Sequence, residues 1–328
     1  MKKILMSALA LALLCNVCPA HADVLSDMPQ KTFSAFNALK KGKTTEEKTE
    51  LDHAAAQHAD PAVRALAYAS ITRNYDSEND DLKFYIEQLK KEQDPKVLAL
   101  GLRCFMNNLK VSNDLYEFYK QNAAHPDAEV RKGAMAGLIN TNNRSVAGIE
   151  AEAVKFLDDK DEKVCLAACK ELARANNGEA MTRIEALIKS NDPSKVKLLG
   201  SCAEGLVTLW YYHPSFNSFD AKAYQLTLDY LKMTPRSKDM PAWQVISALK
   251  KAPKPTWEKL TKGVYKRSDV VAVLADIAKD KAANKMAREY ALEAIAIHGT
   301  KADLEALAPA LEGDPVAKKL EKVMQTAK

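Results

Sequence analysis

The residues best suited to contact a ligand or partner lie in one short aromatic stretch. It contains Trp210, Tyr211, Tyr212, His213 and Phe216. Pro214 interrupts it, so we expect an irregular segment rather than a helix. Aromatic rings and a histidine on such a segment suit a protein, peptide or glycan partner, because aromatic residues often dominate interface energetics. The same side chains could instead fill space where regular structure is broken, and both interpretations remain open here.

Recognisable catalytic and metal-binding patterns are absent from the sequence. His53 and His58 are five residues apart, whereas a zinc pair on a helix needs a spacing of four. His125, His213 and His298 lie beside turns, where solvation or a structural hydrogen bond accounts for them. No Gly-rich phosphate loop, serine elbow or Cys-His signature occurs. We therefore expect no catalytic residue, metal or cofactor. This argues against a conventional enzyme, although a fold can still bring distant catalytic groups together.

Four cysteines follow the N-terminal segment, namely Cys104, Cys165, Cys169 and Cys202. Cys165 and Cys169 are one helical turn apart, where Cβ atoms are about 5–6 Å from each other. A disulfide needs about 3.8 Å, so that bridge would distort the helix. Cys169 and Cys202 occupy similar places in adjacent repeats and could form a bridge. The favoured interpretation is that all four are small buried thiols.

The elements that must position these residues repeat along the chain. The copies align on Val63, Val97, Val130, Val164 and Val196, at steps of 34, 33, 34 and 32 residues, with a sixth copy on Ala287. A period of this length is typical of stacked supersecondary units. Four residues after each anchor stands alanine or glycine, and eight after it stands a large apolar residue, except at Glu204. These positions share one helix face, and the small residue allows a second helix to approach closely.

Each repeat also carries a helix start signal. Asp60, Asp94, Asp192 and Asp314 each precede a proline, a combination that favours an N-cap followed by the first helical residue. Asp127 and Asp161 can cap without proline, and Thr44 with Glu47 forms a capping box. The predicted helices include a leader helix from Asp27 to Lys40, one from Asp192 to about Trp210 and one from Lys301 to Glu312.

This pattern resembles the HEAT repeat family, including the short HEAT-like repeats of bilin lyases. The turn aspartate, the Val63-Arg64 and Val130-Arg131 pairs, the Ala287-Arg288 variant and the small-residue stripe carry the resemblance across about residues 45 to 298. It implies an all-α fold, a right-handed α-solenoid of about eight stacked antiparallel helix pairs. The family's arginine is absent at Leu98, Cys165 and Lys197, which puts an Asp–Arg ladder in doubt at those repeats.

The chain begins with two lysines, an apolar run from Ile4 to Leu14 and the sequence Ala20-His21-Ala22. This order is typical of a signal peptide cleaved after Ala22. We predict a signal peptide over 1–22 and one solenoid domain over 23–328. Within that domain, 23–42 forms an N-terminal capping helix, 211–265 forms irregular aromatic-rich units and 301–328 forms a C-terminal cap. The predicted location is periplasmic or secreted.

Charge and composition limit the classes of partner that we expect. The net charge of +5 includes Lys2 and Lys3, and acids and bases alternate without a polybasic run, so nucleic acid is not expected. No later segment is apolar enough to insert into a membrane. The predicted function is an exported scaffold that binds a protein or peptide partner. An alternative is an envelope-associated enzyme or accessory with a site in the aromatic break around 210–257. Bilin lyase activity conflicts with export, because phycobilisome assembly takes place inside the cell.

Overall fold

A computed structural model of the chain describes residues 25, 28, 30–70, 80–105, 113–139, 148–190, 192–212, 220–233, 242–250, 261 and 263–327. Within these ranges the chain forms 17 α-helices and no strand, which confirms the all-α prediction. No helix in the same ranges has the length and apolar character needed to cross a bilayer. The chain divides into two compact units, unit 1 (Met1–Ile149) and unit 2 (Glu150–Lys328). The single-domain arrangement stays a prediction.

Unit 1 contains seven helices within its described ranges. They are α1 Phe33–Leu39, α2 Thr45–Ala56, α3 Pro61–Ser70, α4 Asp80–Lys90, α5 Pro95–Phe105, α6 Asn113–Asn122 and α7 Ala128–Ile139. The helix α8, Ile149–Val154, begins at the unit boundary. Unit 2 continues with α9 Glu162–Arg174, α10 Gly178–Ser190, α11 Val196–Val207, α12 Ala221–Lys232, α13 Ala242–Leu249, α14 Arg267–Lys279, α15 Lys285–His298, α16 Lys301–Glu305 and α17 Ala317–Thr326.

The predicted caps are present at the helix starts. The Asp60 carboxylate accepts a hydrogen bond from the amide of Ala62 at 2.8 Å. Asp127 accepts one from Glu129 at 2.8 Å, and Asp161 accepts from Lys163 at 2.9 Å. Thr44 and Glu47 form the reciprocal capping box. These bonds satisfy amides that lack an intrahelical acceptor, which is why the sequence locates most helix starts to within one or two residues.

Three helix predictions are corrected. The leader helix begins at Phe33 rather than Asp27, because Thr32 is extended and its hydroxyl caps the helix. The helix predicted from Asp192 is instead a 3₁₀ turn, then α11, then a π-helical turn over Thr208–Tyr212. The helix predicted from Lys301 to Glu312 ends at Glu305. A 3₁₀ turn starts at Pro309, whose missing N–H cannot continue an α-helix.

The repeat positions occupy the core. The anchors Val63, Val130 and Val164 are fully buried, and the small residues Ala67, Ala134, Ala168 and Ala291 are buried with them. Val196 is only half-buried and Glu204 is partly exposed, so the fifth repeat departs where its sequence departs. Leu206 and Val207 are buried in its place, which supports a local change of register before the π-turn. Ile71 lies outside the described residues.

We call the helix that carries the anchor residue, or α13 in the irregular region, the second helix of its repeat. Successive second helices are neighbours within each unit. In unit 1, α3 packs on α5 and α5 on α7; in unit 2, α9 packs on α11, α11 on α13 and α13 on α15. Glycine makes the close approach possible. A Cβ added at Gly205 would lie 2.1 Å from the carbonyl oxygen of Lys170, and one at Gly133 would lie 2.8 Å from that of Ala99. Glycine at these two positions therefore lets the neighbouring helices pack closely.

Arginines after the anchors tie one repeat to the next. Arg64 donates to the carbonyl of His58 at 2.9 Å and holds Glu92 through two nitrogens at 2.7 and 2.8 Å. Arg288 similarly bonds the carbonyl of Ala278 and the carboxylate of Asp314. Where the arginine is replaced, the Cys165 thiol donates to the carbonyl of Asp159 at 2.8 Å. The cysteine therefore reproduces the contact to the turn, but it does not reach the next repeat.

Candidate functional site

The predicted partner site begins on the π-turn that follows α11. Trp210 and Tyr211 are buried, 1% and 5% exposed. The Trp210 ring lies 5.3 Å from Tyr211, 5.0 Å from Tyr224 and 6.1 Å from Tyr265, measured between ring centroids. His298, at the end of α15, lies 5.8 Å from Tyr211. These five residues, Trp210, Tyr211, Tyr224, Tyr265 and His298, form what we call the aromatic cluster.

Polar atoms in the aromatic cluster are hydrogen-bonded. The indole N–H of Trp210 donates to the hydroxyl of Thr227 at 2.9 Å. That hydroxyl in turn donates to the carbonyl of Ala223 at 2.8 Å, and the Tyr224 hydroxyl donates to the carbonyl of Lys266 at 3.3 Å. A buried polar group without a partner would cost about 1–3 kcal/mol. The bonds therefore allow large aromatic side chains with polar ends to fill the break in the repeat.

His298 is fully buried at the centre of this network. Its Nε2 lies 2.8 Å from the carbonyl oxygen of Leu249. A carbonyl only accepts, so Nε2 carries the proton. Nδ1 therefore accepts from the Tyr265 hydroxyl, 2.9 Å away. Burial, opposed by the bond to Leu249 and aided by the charge of Arg267, lowers the pKa of His298 to about 4. The imidazole is neutral at physiological pH and acts as a structural link between α13, α15 and the π-turn.

The structure places the predicted partner-binding residues in two situations. Trp210 and Tyr211 point inward, which is the space-filling interpretation of the sequence. Tyr212 ends the π-turn, with its side chain outside the described residues, and His213 and Phe216 lie outside them entirely. Binding at this segment stays a prediction.

The role of His298 went unrecognised in the sequence, although its spacing carries a signal. It lies eleven residues after Ala287 and three after Ile295, which places it on the same helix face as the buried repeat positions. A histidine on that face is expected to be enclosed, whatever turn follows it.

A second surface of interest is the exposed side of the second helices in unit 2. Lys170 of α9 and Glu204 of α11 form an ion pair at 2.5 Å. Lys250, at the end of α13, pairs with Glu293 of α15 at 2.8 Å, and its ammonium lies 3.5 Å from the centroid of the Tyr290 ring. We call this surface, marked by Lys170, Glu204, Lys250, Tyr290 and Glu293, the second-helix face.

Glu293 is the most highly connected carboxylate on the second-helix face. It also pairs with Lys319 of α17. Partial burial raises the pKa of Glu293, but the hydrogen bonds from Lys250 and Lys319 lower it by more. The carboxylate therefore stays ionised and holds two lysines in fixed positions. Such an arrangement keeps ordered charge at the surface but leaves Glu293 unsuited to accept a proton.

The four cysteines within the described ranges are free thiols. Cys169 and Cys202 are fully buried on the neighbouring helices α9 and α11. Burial raises the pKa of Cys104 to about 11, against the opposing charge of Arg103. A reactive cysteine needs a lowered pKa, so Cys104 has the opposite character. The predicted bridge between Cys169 and Cys202 stays a prediction.

Neither metal ligands nor cavities in the described residues point to a further functional site. Across the described ranges, no three His, Cys, Asp or Glu side chains lie close enough together to hold a metal ion. An open depression of about 430 Å³ lies at the C-terminal pair of helices, lined by Lys301, Glu305, Ala308, Glu321, Met324 and Gln325. Its lining combines side chains of both charges with the apolar side chains of Ala308 and Met324. Its lining residues give no indication of a catalytic arrangement.

No family model and no curated protein matches the chain. Among solved structures, the chain is similar to the crystal structure of an engineered protein from the Northeast Structural Genomics Consortium, with 15% sequence identity over 94% of this chain and 93% of that one. The TM-score is 0.32. At that score the likeness supports no conclusion about fold or function.

Proposed function

We propose that the chain is an exported α-solenoid scaffold that binds a protein or peptide partner on its second-helix face. In this proposal the helices stack as right-handed, HEAT-like antiparallel pairs, about eight in all. The packing of α9 on α11, α11 on α13 and α13 on α15 supports this arrangement. The buried anchors and small residues support it as well, because they lie where stacking requires them.

The observation that carries the binding proposal is the cross-helix ordering of side chains on the second-helix face. Lys170 with Glu204, and Lys250 with Glu293, span neighbouring helices on the side that faces solvent. Binding a partner costs conformational freedom of interface side chains, about 0.5–1.5 kcal/mol for each long side chain immobilised. Side chains already held by ion pairs and a cation–π contact have lost part of that freedom before the partner arrives.

The chemistry of the face suits a partner that carries both charges and apolar side chains. Lysine and glutamate alternate along it, and Tyr290 and Trp243 of the same second helices are half-buried. Aromatic residues are enriched among those that dominate interface energetics. A surface that alternates positive and negative charge fixes the position of a partner along it, and it disfavours partners whose charges are all of one sign. The enzyme alternative has less support, because Trp210 and Tyr224 of the aromatic break are enclosed and their polar atoms are held by structural hydrogen bonds.

Site-specific photo-crosslinking in the producing cell tests the proposal. The photo-reactive residue replaces Ser201 of α11 or Ser247 of α13, with matched controls at the exposed Thr182 of α10 and Gln225 of α12. We expect a discrete adduct from the first two sites that is lost when excess unmodified chain competes. Adducts of equal yield at the control sites, or none at Ser201 and Ser247, would contradict binding on the second-helix face.

Export is tested separately by the mass of the protein recovered from the cell envelope or medium. We expect a chain that starts at Asp23, since the sequence predicts cleavage after Ala22. A cytoplasmic product that retains its first residues would overturn this part of the proposal and leave the binding surface untouched.

A further inference from the structure

We propose that Cys169 and Cys202 form a disulfide that joins α9 to α11 when the chain folds in the presence of a protein or small-molecule disulfide. The two cysteines lie on second helices of successive repeats, and both side chains are fully buried. The helices α9 and α11 that carry them pack directly against each other. The fold therefore already places the two cysteines in one seam.

The backbones around the pair are close enough for a cross-link. One turn after Cys202, a Cβ at Gly205 would lie 2.1 Å from the carbonyl oxygen of Lys170, the residue after Cys169. Lys170 and Glu204 form an ion pair on the outer side of the same seam. Disulfides usually join Cα atoms about 4.4–6.8 Å apart, and a seam this tight favours such a separation.

The structure also selects this pair over its neighbour on the same helix. The thiol of Cys165 donates to the carbonyl of Asp159 at 2.8 Å, so it points to the turn before α9. Cys165 and Cys169 lie one turn apart, where their Cβ atoms are about 5–6 Å from each other. Bridging them would distort α9, whereas bridging Cys169 to Cys202 joins two buried side chains on helices that pack against each other.

The reaction is a thiol–disulfide exchange. The thiolate of one cysteine attacks the disulfide of the oxidant, forms a mixed disulfide and releases one thiolate of the oxidant. The second cysteine then attacks the protein sulfur of the mixed disulfide and releases the other. The protein loses two electrons and two protons, and the oxidant gains both as two thiols. Burial, and then the neighbouring Cys169 thiol, raise the pKa of Cys202 well above its usual value. Exchange therefore occurs during folding, before the seam closes.

The cross-link closes a loop of about one repeat. By limiting the freedom of the unfolded chain, a loop of that length raises the thermal midpoint of a unit of this size by about 10 °C. Because both sulfur atoms are enclosed, we also expect reductant to break the bond only when denaturant is present.

The test refolds the full chain with a mixture of oxidised and reduced glutathione, then alkylates free thiols in denaturant and measures the intact mass. We expect two alkylated thiols in the chain that follows the predicted cleavage site, and tryptic peptides 164–170 and 198–222 linked together. The link should persist in Cys165→Ser and disappear in Cys169→Ser. Four alkylated thiols, or a link that requires Cys165, would overturn the proposal.

Thermal melting supplies a second readout that does not depend on any single variant folding well. Reductant present throughout refolding should lower the midpoint of the wild type and of the Cys104→Ser control by the same amount. It should not change the midpoint of Cys202→Ser. An equal effect of reductant on Cys202→Ser would show that the bond contributes nothing to stability and would contradict the proposal.

Discussion

Two groups of buried aromatic side chains, one in each unit, are held in the core by different interactions. In unit 1, the Tyr68 ring packs edge to face on Tyr85 and Phe105. Its centroid lies 6.1 Å from that of Tyr85 and 6.4 Å from that of Phe105. The Tyr68 hydroxyl is buried with no hydrogen-bond partner among the described atoms. In unit 2, the polar ends of Trp210, Tyr265 and His298 are joined by hydrogen bonds.

The difference follows from the regularity of the repeat. Where the repeat is regular, as around Phe105, the shape of the helix faces fills the core. An unsatisfied buried hydroxyl is not confined to that region, since Tyr230 of α12 carries one as well as Tyr68. Where the repeat is broken after α11, side chains from several segments must be held in one arrangement. Directional hydrogen bonds through His298 provide that constraint, which nondirectional apolar packing cannot.

The largest expected effect comes from removing the centre of this network. His298→Ala leaves the carbonyl of Leu249 and the hydroxyl of Tyr265 buried without their partner, and it leaves a cavity. We expect a loss of about 4 kcal/mol in the free energy of unfolding, measured by urea denaturation. The control is His53→Ala in unit 1, where the ring is half-buried and stacks on Phe84 at 3.9 Å. A loss of about 1 kcal/mol is expected there, and equal losses would remove the distinction between the two groups.

Acid should weaken the network through the same histidine. Burial lowers the pKa of His298 to about 4 in the folded chain, whereas it is about 6.5 in the unfolded chain. The unfolded chain therefore binds more protons between these values, so stability is fully present above pH 6.5 and is lost as pH falls towards 4. We expect His298 to account for a loss of about 2 kcal/mol between pH 7 and pH 5. His298→Gln should lack this component; an unchanged pH dependence in that variant would assign it elsewhere.

The helix seams of the two units should differ in their tolerance of one added methyl group. At Gly205 the new Cβ would meet the carbonyl of Lys170 at 2.1 Å, whereas at Gly133 it would meet that of Ala99 at 2.8 Å. We expect Gly205→Ala to cost about 2 kcal/mol and Gly133→Ala about 1 kcal/mol, by thermal or urea unfolding. Gly178→Ala, with open space around its Cβ, serves as the control. A reversed order would show that the unit 1 seam is the tighter one.

The smallest effects distinguish the two tyrosine hydroxyls. Tyr265→Phe removes the donor to His298 and should cost about 1–2 kcal/mol. Tyr68→Phe removes a hydroxyl that has no partner in the described structure, so stability should be unchanged or slightly higher. Matched urea curves of the two variants test the contrast. A loss at Tyr68 as large as that at Tyr265 would mean that its hydroxyl is satisfied after all.

Local features of the fold could be predicted from the sequence because they depend on neighbouring residues. Asp60 and Asp161 cap their helices as their spacing indicates, and the anchors Val63 and Val164 are buried as their period indicates. The enclosure of Trp210 could not be derived in this way. It depends on Thr227, Tyr265 and His298, which are distant in sequence, and no local rule shows that they meet.

The account depends most on the second helices of unit 2 lying side by side in chain order. Spin labels at the exposed or half-buried positions Lys163 on α9, Lys197 on α11, Gln244 on α13 and Glu289 on α15 test this directly. Each label is attached to a cysteine introduced in a background that carries Cys104→Ser and Cys165→Ser. The distances between pairs of labels are measured by pulsed electron–electron double resonance.

From the label at Lys163, the distances to Lys197, Gln244 and Glu289 should rise by about 10 Å per helix, the usual spacing of packed helices. That progression would support a layer of successive second helices with one continuous exposed face. Distances that fail to rise in chain order, with Glu289 as close to Lys163 as Lys197 is, would contradict the layer and the binding surface proposed on it.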